Sequence, residues 1–429
     1  MSVLAVACAG GRGAGGPRLR PVTPAEIPTL KAQATQQPRN PRIRFRLAAA
    51  LMAAGQCDSA IVVANAGQML APAEALGAMV VGGCQEKDGR YDLAFATYTD
   101  FANRYPQAHG IAAVRALAQL ALRTQATQTA KLALARESTL TSLAPEPSTI
   151  AVLPLTIAGD SSLQPLSRGL AELMVSDLAM VRSLRLLERI QIGALLDEMK
   201  LGQSGRADSS TAARVGRLLR AERMVQGVAA ITPNGPVRMS ATVVRADGMV
   251  RSGAQANGTF KQLLDLEKQL VFGLATELGI QLTDAERERI LRQGPRTLVA
   301  FLAYSQGLEA MDRGDYRAAA GAFAAAVRSD PSFQAAREHQ QAAEAAPAVQ
   351  ASPGDVVTVV EAAAQLTTPT EPASLGALQQ TTNEVSQTIS STLGQAGISS
   401  VASHPTNESQ GVTNVVQTFG VIRIIFRLP

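Results

Sequence analysis

The chain contains few of the residues from which metal centres and nucleophilic active sites are built. Among its 429 residues are three cysteines, three histidines and no tryptophan, and aromatic residues make up 3%. The histidines, His109, His339 and His404, are scattered, and no C-x-x-C or H-E-x-x-H spacing occurs. We therefore predict surface positions for the histidines, no metal site and no bound cofactor.

Long apolar runs and a marked charge imbalance are missing as well. No stretch approaches the roughly 20 consecutive apolar residues that a membrane-spanning helix needs. The net charge is +5, but only six of the 40 basic residues are lysine, a bias typical of genome composition rather than of nucleic-acid binding. The sequence thus predicts no nucleic-acid partner, and membrane attachment only through a lipid anchor.

Three glycines near the N-terminus fit the G-x-G-x-x-G pattern directly after an apolar run: Gly11, Gly13 and Gly16. A dinucleotide site of this kind needs a helix at the loop, because the helix N-terminal amides bind the pyrophosphate. Four prolines follow between positions 17 and 28, and each removes an amide donor and disfavours helix at the residue before it. We therefore expect no nucleotide site here.

The residues before the first cysteine favour a different interpretation. The small and apolar run from Leu4 to Ala7 precedes Cys8 and resembles a bacterial lipobox, in which the cysteine is acylated and becomes the mature N-terminus. The resemblance implies lipidation at Cys8, with residues 1–30 as signal remnant and tether. The alternative is a cytoplasmic N-terminus with an incidental cysteine.

A glycine, an alanine and a proline recur in one frame on both sides of the middle of the chain. In each copy the glycine separates two apolar helical stretches, the alanine follows five positions later and the proline after 17. The copies are Gly55, Ala60 and Pro72; Gly89, Ala94 and Pro106; and Gly314, Ala319 and Pro331. The frame resembles the tetratricopeptide repeat, which implies a helical solenoid over residues 31–137 and a further helix pair over 295–345.

The resemblance to this repeat also implies how the chain meets other molecules. Such repeats form binding surfaces, so protein partners are expected on them, with scaffolding or dimerisation as the alternative. The third copy stands nearly alone in the sequence, and we expect it to pack on its neighbouring domain.

Two cysteines remain if Cys8 is lipidated. On the repeat frame, Cys57 begins the second helix of the first copy and Cys84 closes the first helix of the second copy. These ends lie side by side in antiparallel neighbours, so a Cys57–Cys84 disulfide fits the geometry and an oxidising envelope. Two buried apolar thiols are the alternative.

After a linker at 138–147 the pattern changes to alternating strands and helices. We predict strands at 149–155, 183–189, 223–231, 237–246 and 249–257, and helices at 166–181, 190–201, 208–221 and 260–278. The order βαβααβββα gives a mixed sheet covered by helices, and with the flanking helical repeats an α+β fold class. No strand-to-helix crossing carries G-x-x-x-x-G-K or G-x-S-x-G, so we predict no catalytic residues.

Several segments of this region resemble one family. The segments IAVLPL, RGLAELMVSDL, LRLLER, VGRLLRAERMVQGVA and VRMSATVVRADGMV look like the periplasmic domain of the curli-secretion CsgG/HfaB group, and are similar to the N-terminal domain of TolB. The resemblance implies an α/β envelope domain over 148–282 that assembles with partners. The hairpin connections are short and the last strand carries Arg251 and Gln255, which leaves no room for the transmembrane hairpins of a channel.

The composition changes again in the last part of the chain. Residues 346–429 are rich in Ala, Thr, Ser, Gln and Pro, which predicts a low-complexity tail. The tail ends in FGVIRIIFRLP, and the run from Phe419 to Leu428 has strong β propensity. It can add to an edge of the chain's own sheet or pair with a partner, and the sequence leaves both open.

These features predict a non-enzymatic outer-membrane lipoprotein on the periplasmic face of a bacterial envelope. Its expected role is that of a protein-binding adaptor or assembly factor in envelope biogenesis or secretion, with other envelope proteins bound through the repeat surface. One alternative is an oligomeric secretion-channel component that assembles through the central domain. A nucleotide- or cell-wall-related enzyme is a second alternative, and it would require a phosphate loop or an acid cluster that the sequence does not contain.

Overall fold

The N-terminal part of the protein is helical. The computed structural model describes residues 22–200, 208–232, 235–351, 355–359 and 423–424. A short 3-10 helix at Pro24–Glu26 leads into α1 (Ile27–Gln36), α2 (Pro41–Ala53), α3 (Cys57–Gln68), α4 (Ala75–Lys87), α5 (Tyr91–Arg104), α6 (Ile111–Ala135) and α7 (Glu137–Leu140). Consecutive helices pack on one another, so that each covers part of its neighbour's apolar face.

A mixed sheet with helices on both faces follows. Its elements are β1 (Glu146–Val152), β2 (Thr156–Gly159), α8 (Leu166–Leu178), β3 (Arg185–Leu187), α9 (Arg189–Glu198), α10 (Ser209–Leu219), β4 (Ala221–Ile231), β5 (Pro236–Arg245), β6 (Val250–Thr259) and α11 (Leu263–Glu277). Short 3-10 helices lie at Ser161–Leu163 and Phe260–Gln262. The C-terminal part adds α12 (Asp284–Arg292), α13 (Leu298–Arg313), α14 (Tyr316–Ser329), α15 (Gln334–Ala351) and a short strand, β7 (Arg423–Ile424).

The strands lie in the order β6-β5-β4-β1-β3-β7, with β2 paired to the far end of β4. Strand β1 runs parallel to β3 and to β4, whereas β5 and β6 form antiparallel hairpins with their neighbours. Helices α8 and α11 pack on one face of the sheet, and α9 and α10 pack on the other. The predicted fold class is confirmed, and the central elements follow the predicted order with one additional strand, β2.

Strand β1 lies in the centre of the sheet because its side chains are apolar on both faces. Ile150 and Val152 join the core cluster of α8 and α11, while Ala151 and Leu153 join the cluster of α9 and α10. A strand buried on both faces has a continuous apolar sequence rather than an alternating one. The predicted strand 149–155 was too long at its end, because Pro154 has no amide donor and separates β1 from β2.

Three helix pairs share the frame of the sequence repeat: α2–α3, α4–α5 and α13–α14. The glycine between the two helices has a positive φ in each pair, 75° at Gly55, 72° at Gly89 and 79° at Gly314. This conformation ends a helix and favours glycine. The alanine five positions later is fully buried in each pair, and the proline follows the end of the second helix. Assignment of the pairs to the tetratricopeptide family stays a prediction.

The same frame holds a close contact that the sequence pattern did not indicate. Seven residues before the turn glycine, Gly82 and Gly307 face the rings of Tyr98 and Phe323 on the second helix. A Cβ atom at either glycine would lie closer than 3.0 Å to the ring, so only glycine fits beside these rings.

The third helix pair packs on the central domain, as we expected, and the helix that follows it contacts the N-terminal part. Helix α13 packs on α8 of the central domain, and α15 packs along α6 of the N-terminal part. Arg115 on α6 forms an ion pair with Glu338 on α15 at 3.1 Å, and Arg123 Nη1 donates to the carbonyl oxygen of Met311 at 3.1 Å. The C-terminal pair therefore joins the N-terminal helices and the sheet domain.

The boundary of the C-terminal helices also differs from the prediction. Helix α15 continues to Ala351, beyond residue 345 where we placed the end of the helical repeat, because Ala346 and Val349 are buried. Cys8 and most of the tail, including Phe419 and Leu428, lie outside the described residues, as does His404. His109 is exposed, as predicted, whereas His339 is only partly exposed because it stacks on the Phe323 ring at 5.2 Å between ring centroids.

The glycine beside Phe323 provides a test of the helix-pair packing. We expect Gly307→Ala to lower the free energy of unfolding by about 1–3 kcal/mol, since the added methyl group displaces the ring in a packed core. The matched control is Gly193→Ala on α9, where a Cβ atom meets nothing within 4 Å. Better helix propensity stabilises that variant by up to about 1 kcal/mol. Urea unfolding followed by far-UV circular dichroism measures both, and a Gly307→Ala protein as stable as the wild type would contradict the packing.

Candidate functional site

A cleft lies where the N-terminal helices, the sheet and the C-terminal helices meet, and we call it the central cleft. Its volume is about 1130 Å³. Helices α5 and α6 form one wall, the end of β3 forms the floor, and α8, α13 and α15 form the opposite wall. Side chains that mark these parts are Phe95, Thr99 and Leu122; Leu187 and Glu188; and Glu172, Tyr304 and Glu338.

The floor of the central cleft is the outer edge of the sheet domain. Strand β3 pairs on one side with β1. Its other side pairs in parallel with β7, with Leu186 opposite Arg423 and Leu187 opposite Ile424. The main chain of β3 thus accepts a further strand at the cleft. The structure places the described part of the C-terminal strand on the chain's own sheet, one of the two positions that the sequence left open.

A buried ion-pair network begins directly after β3. The Nε atom of Arg189 donates to Oε2 of Glu172 at 3.1 Å, and its two Nη atoms donate to both carboxylate oxygens of Asp312 at 2.7 and 3.0 Å. Arg168 Nε donates to the same carboxylate at 2.8 Å. This fork-shaped contact fixes α13 in both position and direction against the first turn of α9.

The network shifts the pKa values of Asp312 and Arg189 in the direction expected of strong ion pairs. Burial alone raises the pKa of Asp312, but the charges of Arg189 and Arg168 and their hydrogen bonds lower it below the usual range. Burial likewise opposes the charge of Arg189, and Asp312 and Glu172 outweigh it, so its pKa is raised. Both groups therefore stay charged at neutral pH, which is typical of a structural contact.

Further ion pairs and an aromatic cluster line the upper part of the cleft. Arg115 donates to Gln341 and pairs with Glu338, and burial lowers its pKa despite that partner. Tyr304 lies 4.7 Å from Phe333 and 5.7 Å from His339 between ring centroids. The lining therefore combines flat apolar surface with charged groups, as protein-binding sites do.

The structure places the predicted cysteine pair together in the N-terminal helices. Cys57 at the start of α3 and Cys84 in α4 are joined as a disulfide, with Cα atoms 5.4 Å apart. The nine repeat residues lie at the turns and interfaces of the three helix pairs, away from the central cleft. The cleft brings none of the predicted site residues together.

Sequence reasoning missed the cleft residues. The only local signal was the charged pair Glu188 and Arg189 at the end of the predicted strand 183–189, since side chains at the carboxyl ends of parallel strands often face a crevice. Across the described ranges, no group of three or more His, Cys, Asp or Glu residues is placed to hold a metal ion. No helix in those ranges is both long and apolar enough to cross a membrane.

Comparison with known families bears on the floor of the cleft. Residues 155–232 match the family model described as "curli production assembly/transport component CsgG". The matched stretch runs from β2 to β4 and covers less than a fifth of the chain. No curated protein matches the chain at a significant level.

The match supports a CsgG-like domain and, coarsely, an envelope function related to curli assembly or transport. It includes β3, Glu188 and Arg189, while α5, α6, α13 and α15 lie outside it. The cleft therefore combines a CsgG-like floor and one CsgG-like wall helix, α8, with wall helices from the N-terminal and C-terminal parts of this chain.

The Arg189 network provides a second test. We expect Asp312→Asn to lower the free energy of unfolding by about 3 kcal/mol, because it leaves a buried arginine with an incomplete set of partners. Because the pKa of Asp312 is lowered in the folded state, its contribution is present above the unfolded value near 4 and is lost as the pH falls further. We therefore expect the free energy of unfolding to decrease less in Asp312→Asn than in the wild type as the pH is lowered below about 4.

Glu309→Gln on the same helix is the matched control. The Oε1 atom of Glu309 lies 3.9 Å from Nη1 of Arg168 and 3.3 Å from Nη1 of Arg313. A partly exposed ion pair of this kind contributes at most about 1 kcal/mol to the free energy of unfolding. Denaturant unfolding between pH 3 and pH 7 compares the two variants with the wild type. If both variants lose the same free energy of unfolding, the Arg189–Asp312 contact stabilises the protein no more than the partly exposed ion pairs of Glu309 do.

Proposed function

We propose that the protein is a non-enzymatic, periplasm-facing outer-membrane lipoprotein that acts as a protein-binding adaptor or assembly factor in envelope biogenesis or secretion. The observation that carries the proposal is the CsgG family match in the floor of a cleft that is enclosed by helices from the N-terminal and C-terminal parts. A family described by assembly and transport supports an envelope-related process, and the cleft supports a surface on which a partner binds.

The charges of the central cleft support binding rather than catalysis. Arg189, Arg185 and Arg115 each face a carboxylate of the same protein, at Glu172, Glu146 and Glu338. Groups held in ion pairs keep their charge and geometry, whereas a general acid or base has to change its protonation near the working pH. A protein-binding surface needs groups that keep their charge and geometry.

The cysteine pair supports an oxidising compartment, since disulfides persist in envelopes and are rare in the cytosol. Cys84 is fully buried and lies 27 residues from Cys57 in the sequence. The pair links the first two helix pairs, α2–α3 and α4–α5, across their contact.

A thiol measurement tests the disulfide. We expect protein purified from the periplasm, as a Cys8→Ser variant, to show no free thiol after denaturation until a reductant is added. A loop of this length contributes about 3–4 kcal/mol to stability in the chain-entropy model, so reduction or Cys57→Ser with Cys84→Ser should lower the unfolding midpoint. Two reactive thiols in the denatured, unreduced protein would contradict the pairing.

Fractionation and cross-linking in a bacterial host test the adaptor role. Expressed from a start site extended upstream, the wild type should carry a diacylglyceryl mass and sediment with outer membranes, and Cys8→Ser should do neither. Cross-linking in intact cells should yield a discrete heterologous adduct, which Phe95→Arg in the cleft wall reduces at least fivefold. Val62→Arg, at an exposed position with 68% relative accessibility outside the cleft lining, is the matched control.

The outcomes separate the alternatives. A soluble, unmodified wild-type protein contradicts the lipoprotein assignment. A ring-sized species that contains only this chain favours the oligomeric channel component over the adaptor. An adduct that forms equally in Phe95→Arg and Val62→Arg contradicts a partner site in the cleft.

A further inference from the structure

We propose that the outer edge of β3 is an acceptor site for one added β-strand, and that the chain's own C-terminal segment, residues 419–428, occupies it in the resting protein. The inference does not rest on an envelope location, because it concerns contacts within one chain. It names the kind of ligand that the cleft floor takes, an extended apolar and basic peptide.

Main-chain geometry supports the site. The last strand of a sheet presents unpaired amide and carbonyl groups, and natural proteins cover or shorten such edges. Strand β3 is three residues long, and at the cleft it pairs in parallel with Arg423 and Ile424. Main-chain hydrogen bonds provide affinity in strand addition, and pockets for alternate side chains provide specificity.

The lining of the central cleft complements the C-terminal segment in charge. It contains six carboxylates and four arginines, a net charge of −2: Asp92, Asp100, Glu146, Glu172, Glu188 and Glu338 against Arg104, Arg115, Arg185 and Arg189. The segment FGVIRIIF followed by RLP carries Arg423 and Arg427 and no acidic residue. Opposite net charges favour this orientation of partners and disfavour acidic peptides.

The lining complements the segment in its apolar surface as well. Phe95 and Leu122 line one wall of the cleft, and Leu187 lines its floor. The segment consists mainly of β-branched and aromatic residues, which have high β propensity. A peptide of this composition gains affinity from apolar contact with the walls in addition to its pairing with β3.

Covalent attachment favours occupation by the chain's own segment. Residues 360–418 connect the segment to the helical domain. Tethering by a connection of this kind gives an effective concentration on the order of 1 mM. A separate peptide at micromolar concentration therefore binds the complete chain only weakly, and any partner strand has to displace the segment to reach β3.

Peptide binding to the purified chain tests the proposal. The probe is a fluorescent peptide with the sequence of residues 419–429, joined to its dye by a polar spacer, and the measurement is fluorescence anisotropy. We expect a chain that lacks residues 419–429 to bind the peptide at least tenfold more tightly than the full chain. Equal binding by both proteins, or no binding by the shortened chain, would overturn the proposal.

Control peptides separate strand pairing from general adhesion. A scrambled peptide keeps the composition and charge, and a peptide with Ile424→Pro lacks one amide donor and the extended pairing. Both should bind the shortened chain at least fivefold more weakly than the native sequence. Binding of the scrambled peptide at the native level would show apolar adhesion only.

A second variant and a second measurement guard against misfolding of the shortened chain. The full chain with Ile424→Pro should bind the native peptide as the shortened chain does, with an unchanged circular dichroism spectrum. Hydrogen exchange at residues 185–187 should accelerate in both variants and slow again when peptide is added, while β1 stays protected. Unchanged exchange at β3, or a full chain that is dimeric through the segment, would overturn occupation within one chain.

Discussion

The packing of α6 is the constraint on which the rest of the structure depends. This helix has alanine at most of its buried positions, and it contacts α5, α9 and α15. Small side chains let three neighbours approach one helix closely, and a packed interior leaves few gaps to absorb a larger residue. The N-terminal helices, one face of the sheet domain and the C-terminal helix pair are held together through this helix, and the central cleft exists because the three parts meet beside it.

The buried ion pairs have a different role from the apolar contacts. Apolar packing is weakly directional, so it defines the position of α13 on α8 less sharply than hydrogen bonds do. The contact of Arg189 with Asp312 requires two hydrogen bonds in one plane, and a small shift leaves a charge without a partner in a buried place. Because Arg189 begins α9 next to the end of β3, the same contact fixes the opposite wall of the cleft relative to its floor.

Much of the central domain could be predicted because its signals are local. The continuous apolar run at Ile150 and Val152 indicated a buried strand, and Asp208 caps α10 with hydrogen bonds to two backbone amides, as its position before the helix indicated. The glycine, alanine and proline frame likewise marked the helix pairs. Pro154 shows the limit of such patterns, because the sequence is apolar on both sides of the interruption and suggests one strand instead of two.

The cleft could not be predicted because its parts come from distant segments. Arg115 and Glu338 are 223 positions apart in the sequence, and neither has an unusual local pattern. His339 looked like an isolated polar residue, and only the packing of α15 shows that it stacks on Phe323. The local sequence predicts the helix or strand to which a residue belongs. A site of this kind depends instead on which helices and strands pack together in the folded protein.

The pairing of α6 with α15 has a consequence for the order in which the protein folds. Residues 111–135 are synthesised or exported long before residues 334–351. The face of α6 that packs on α15 is therefore uncovered during this interval. Burial of one exposed CH2 group is favourable by about 0.8 kcal/mol, so a leucine-rich face would bind strongly to other apolar surfaces during this interval. Exposed apolar surface on incomplete chains promotes aggregation. A helix face made of alanine exposes far less apolar surface. The composition that allows close packing in the finished protein therefore also keeps the unfinished chain from adhering to others.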